Sequence, residues 1–202
     1  MEHRKQITSK SMMRSVVMGG KSTFTLVSTS SGTRFTYKFS TPKEQLSDGN
    51  TDFDVIFIKV LSGSDNETGY QYLGQVFPKR SGLQYNHGRK SRVGDTAPSV
   101  KAIRWFLHQL QGEGSNLNKV EFWHEGRCAR CGRKLTVPES VEAGFGPDCA
   151  VMMHVPYGRL SITGDEAEAE MHRIEVEADR EQTVRDEINK MKARVAFERR
   201  AQ

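Results

Sequence analysis

The placing of the cysteines limits this chain more than any other feature. The sequence has three, and all lie in one stretch: Cys128 and Cys131 flank Ala129-Arg130, and Cys149 follows Gly144-Phe145-Gly146-Pro147-Asp148. A Cys-x-x-Cys turn backed by Gly132, with a third cysteine delivered by a Gly-Pro turn, is a spacing that holds Zn²⁺. Three clustered thiols cannot all pair with one another, so a disulfide framework fits poorly and a reducing compartment is expected. A redox Cys-x-x-Cys follows a βαβ pattern, and none precedes this one.

A structural zinc takes four ligands in a tetrahedron, so the cysteines leave one position to fill. His124, four residues before Cys128, is the first candidate, which gives the expected set Cys128, Cys131, Cys149 and His124. His154 is the second candidate, and Asp148 or a water the third. The knuckle turn calls for positive φ at Gly132. Cys149 is expected to begin a helix, whose free N–H groups favour a thiolate. Arg127, Arg130, Arg133 and Lys134 add positive charge around the cluster.

The rest of the chain divides around this centre. Residues 1–21 are basic, end in Gly19-Gly20 and suggest a flexible tail. Residues 22–123 read as an α+β domain. Thr23–Ser28 and Arg34–Phe39 alternate aromatic and β-branched residues about a Ser/Gly loop and predict a β-hairpin. Phe53–Leu61 is the most apolar run and predicts a central strand, with Tyr70–Phe77 returning beside it. Pro78 to Asp95 reads as a basic loop. A helix is expected over Val100–Gln111, capped by Thr96, with Val100, Ile103, Phe106 or Leu107, and Leu110 on its apolar stripe. Lys119–His124 predicts a last strand, Pro138–Ala143 a small helix and Ala150–His154 a short helix. Residues 165–202 lack Gly and Pro and predict a long, charged amphipathic helix with a thin stripe. The fold class is therefore α+β: a small antiparallel sheet packed by one helix, then a treble-clef-like zinc knuckle (residues 124–156) and the long C-terminal helix.

The series Cys128-x-x-Cys131-Gly132-Arg133-x-Leu135-Thr136-x-Pro138-Glu139-Ser140, continued by Gly144-x-Gly146-Pro147-x-Cys149, resembles an uncharacterised domain family. That family is frequent in bacteriophage and actinobacterial proteins and is catalogued as a domain of unknown function. The resemblance implies a small zinc-binding phage or prophage protein and implies no activity.

Net charge is +5, and it is unevenly spread. A basic body favours polyanions, whereas Asp165 to Glu181 is acidic. Lys79, Arg80, Arg89, Lys90 and Arg92, interleaved with Tyr85 and His87, and Arg130, Arg133 and Lys134 on the knuckle are the candidate nucleic-acid contacts. Phe24, Phe35, Tyr37, Tyr70 and Tyr72 are candidates for stacking on bases, against the expectation that alternating aromatics face a core. The alternative is a factor that binds a host protein, or a second copy of itself, through the C-terminal helix. No P-loop, nucleophile elbow or triad spacing points to an enzyme. No apolar run is long enough to span a membrane and Met1–Ile7 does not resemble a signal peptide, so the expected site is the cytoplasm.

Overall fold

A computed structural model of the protein describes residues 5–46, 53–79, 82–111 and 116–157. The chain divides after Leu160, and all described residues lie in the first unit. The expected C-terminal helix over 165–202 lies outside them.

The elements in order are β1 (Gln6–Ile7), α1 (Lys10–Met18), β2 (Lys21–Ser28), β3 (Arg34–Ser40), β4 (Ile56–Leu61), β5 (Tyr70–Lys79), β6 (Gly82–His87), α2 (Pro98–Gln109), β7 (Val120–His124), α3 (Pro138–Ala143) and α4 (Pro147–Met152). The strands form one antiparallel sheet in the order β1-β7-β2-β3-β4-β5-β6. β2 to β6 are a meander, so each new strand adds beside the last. The chain then crosses by α2 and brings β7 back beside β2, at the far side of the sheet.

Period-two alternation sorts the strands into two faces. Phe24, Leu26, Tyr37, Phe39, Ile56, Ile58, Val76 and Phe122 are buried on one. Val100, Ile103, Phe106 and Leu107 of α2, with Leu110 at its C-cap, are buried with them, which is the stripe expected from the sequence. The middle of this core is aromatic: the Phe24 and Phe122 rings stack at 4.6 Å, and Phe106 lies 5.6 Å from Phe122. Tyr37 reaches through it to donate to the Ser99 carbonyl at 2.7 Å, and burial raises its pKa.

Four expectations need correction. The stretch read as a flexible tail carries β1 and α1, and α1 buries Met12, Met13, Val16 and Val17. Pro78 to Asp95 is not all loop, because β6 occupies Gly82–His87 as an edge strand. Thr96 does not cap α2; the helix starts at Pro98, with Ala97 at its N-cap and no side-chain cap bond. The sheet is larger than expected, with seven strands, and α1, α3 and α4 as well as α2 contribute buried residues to the core.

Candidate metal centre

β7 runs out at His124 and passes through Glu125 and Gly126 into the knuckle. Backbone hydrogen bonds fix every step. The Glu125 N–H donates to the Thr23 carbonyl (3.1 Å), the Cys128 N–H to Arg133 (2.8 Å), the Gly132 N–H to Cys128 (2.9 Å) and the Leu135 N–H to Gly126 (2.8 Å). Arg127 and Lys134 form an antiparallel bridge across the turn. Gly132 has φ 78°, the left-handed conformation that its position after Cys131 calls for. The knuckle is tied outward as well: the Lys21 N–H donates to Ala129 (2.8 Å) and the Ala129 N–H to Gly144 (3.0 Å).

α3 spans Pro138–Ala143, as its sequence predicts, and stops at Gly144, whose φ is 72°. A β-carbon on Gly144 would come within 3.1 Å of Val16, so α1 rests on this turn. α4 then starts at Pro147 and carries Cys149 in its first turn. Cys128, Cys131 and Cys149 are free thiols whose sulfurs all lie within 4.8 Å of one another. A tetrahedral zinc with bonds of about 2.3 Å spaces its sulfurs roughly 3.8 Å apart, so the donor set suits such an ion. Cys128 is buried, Cys149 half-buried and Cys131 exposed.

The electrostatics make a cation fit. Burial is the largest influence on Cys128 and would raise its pKa, but the amides of Cys131, Gly146 and Arg130 outweigh it and lower the value. Cys149 is pushed up to about 12, by burial first and then by the charge of Cys128 beside it. Collecting a second thiolate here is costly until a divalent ion neutralises the group.

The sulfurs open onto a depression of about 260 Å³ that is also lined by Arg133, Lys134, Ser140 and Asp148. Asp148 is exposed and adjacent to Cys149, and Ser140 hydrogen-bonds the Tyr157 hydroxyl at 2.8 Å.

The structure does not bring His124 to the sulfurs. Among the described residues neither His124 nor His154 belongs to the cluster. His124 is buried, and its Nδ1 accepts the Gly126 N–H at 3.1 Å, which pins the ring to the turn that enters the knuckle. Burial lowers its pKa to about 4, opposed by the Val141 carbonyl and aided by the charge of Lys5. Arg130, expected to touch nucleic acid, is also corrected. It is buried, with its guanidinium 5.2 Å from the centre of the Phe53 ring, where it helps to close the core beneath the knuckle.

The remaining basic candidates fall into two groups. Arg133 and Lys134 are exposed on the knuckle, beside β7 and β2. Lys79 is exposed at the end of β5, and Arg89, Lys90 and Arg92 are exposed on the turn after β6, at the opposite edge of the sheet. Arg80 lies outside the described residues. The sequence reading missed Lys21, whose Nζ reaches the Cys131 carbonyl at 3.5 Å. Its only signal was a lysine opening a strand.

Residues 121–154 match a family model described as a family of unknown function, DUF6011. No curated protein and no solved structure matches the chain. Among the described residues no helix is long and apolar enough to cross a membrane.

Proposed function

We propose that this chain is a zinc-stabilised module that binds nucleic acid, with the metal in a structural role. One observation carries the reading: three sulfurs gathered within 4.8 Å where α4 meets a turn whose exposed side chains include Arg127, Arg133 and Lys134. Cys128, Cys131 and Cys149 hold the ion. A water or the Asp148 carboxylate would fill the fourth position, since neither His124 nor His154 lies with the sulfurs among the described residues. The knuckle's cations meet phosphates, a contact that is independent of sequence and weakened by salt. The resemblance of the cysteine motif to phage proteins supports placing the chain among phage accessory factors that work in a host cytoplasm.

Two measurements test this. Elemental analysis should find one zinc per chain, lost in Cys128→Ser and kept in His124→Gln; a folded, stable chain free of metal overturns the metal assignment. Fluorescence anisotropy with labelled DNA and RNA at about 50 mM salt should show binding that falls as salt rises. Arg133→Glu with Lys134→Glu should weaken it, and no binding at low salt overturns the nucleic-acid reading.

A further inference from the structure

The face of the sheet opposite α2 has an organisation of its own. Its side chains are half-buried or exposed, whereas those alternating with them on the strands are mostly buried. The register places Thr23, Lys38, Lys59 and Tyr72 in one row across β2, β3, β4 and β5. Leu61 pairs with Tyr70 in the next row, and Phe57 lies on the other side, 6.5 Å from the Tyr72 ring.

Two features of this face bear on what it could bind. Lys38 and Lys59 are directly opposed across neighbouring strands, an arrangement that repels. Both are exposed, and among the described residues neither makes an ion pair with a carboxylate. Tyr70 and Tyr72 place two large rings on a solvent-facing surface, one of them with the Lys38 ammonium 5.3 Å from its centre. Lys38 reaches Tyr70 two strands away, and the pKa of Tyr70 is raised by burial and then by Glu125, which follows β7.

The row leads to a basic turn. A β-carbon on Gly88 would collide with the Tyr72 ring, so that ring packs against the backbone where β6 ends. The Ser91 hydroxyl donates to the Tyr72 carbonyl at 2.8 Å. Arg89, Lys90 and Arg92 are therefore carried on a turn pinned to Tyr72 and continuous with the face.

From this we infer that the open sheet face is a single-stranded nucleic-acid platform. Unpaired bases stack on Tyr70 and Tyr72, and phosphates lie along Lys38, Lys59, Arg89, Lys90 and Arg92. A row of cations with interleaved aromatic rings is the combination that binds a strand without reading its sequence. The opposed lysines are relieved when a phosphate lies between them. The inference rests on the nucleic-acid reading above and names the surface and the form of the ligand.

The test uses the full chain with fluorescein-labelled dT20, U20 and a 20-base-pair duplex in a salt series. Single strands should bind more tightly than duplex. Lys59→Glu should weaken dT20 binding about tenfold or more with the melting temperature kept or raised, because the substitution replaces a like pair with an opposite one. Tyr72→Ala and Tyr70→Ala should each weaken it about five- to hundredfold. Binding of dT20 or U20, either or both, in preference to the duplex supports the platform. Binding unchanged in Lys59→Glu and Tyr72→Ala but lost in Arg133→Glu with Lys134→Glu overturns the platform and leaves the knuckle reading standing. Absence of binding to every oligonucleotide overturns both. Equal affinity for duplex and single strand, or a wild-type dimer that Tyr72→Ala splits without any oligonucleotide binding, overturns the platform as well.

Discussion

In the sheet, Phe24, Phe106 and Phe122 fit together at ring distances of 4.6 to 6.0 Å, and α2 buries an entire stripe over them. In the knuckle, residues 126–135 are positioned by backbone hydrogen bonds around sulfurs, and of the three cysteines only Cys128 is buried. The sheet is held by apolar area, a force that depends little on what is dissolved around it. The knuckle is held by backbone geometry that gathers three thiols into a set that could hold a metal ion. The two regions meet at α1, whose Val16 lies against Gly144, and at β2, whose first N–H donates to Ala129. Damage to one should therefore be felt by the other through these seams and through the end of β7, where His124 leads into the knuckle.

The largest effect in that comparison belongs to the aromatic core. Phe122→Ala removes a fully buried ring that stacks on both Phe24 and Phe106, and it should cost about 3–5 kcal/mol in urea denaturation. A cost under 1 kcal/mol would show that the sheet does not depend on this stack. His124 gives a smaller effect that probes the seam between sheet and knuckle. Its folded pKa is depressed from 6.5 to about 4, so the fold favours the neutral ring. The stabilisation is complete above pH 6.5 and is lost as pH falls towards 4, by at most about 3 kcal/mol. His124→Gln should show a flatter stability profile than wild type over that window; parallel profiles would contradict the buried neutral imidazole.

Much of this molecule is written in local pattern. Alternation in Thr23–Ser28 and Arg34–Phe39 gives β2 and β3, and the Val/Ile/Phe run before Leu61 gives β4. The Pro at 138 and the Gly at 144 bracket α3 because one suits a first helical turn and the other a left-handed stop. α1 was not legible in the same way: Met12, Met13, Val16 and Val17 make a stripe only two turns long inside a basic, Ser-rich stretch. β6 was hidden by its polar residues, which an edge strand exposes. The partner of Arg130 could not be read, because Phe53 comes from a distant part of the chain and composition assigns an arginine to the surface. The cysteines were legible as a cluster because spacing alone limits what they can do. Their fourth partner was not, because it depends on where β7 aims His124.

Hydrogen exchange of the full chain, with and without a zinc chelator, tests most directly the claim that metal closes the knuckle while apolar burial holds the sheet. Chelation should strip protection from residues 126–135, α3 and α4, and reduce it in α1, while β3, β4 and β5 stay protected. Protection unchanged throughout, or lost at once across the whole sheet, would contradict that division.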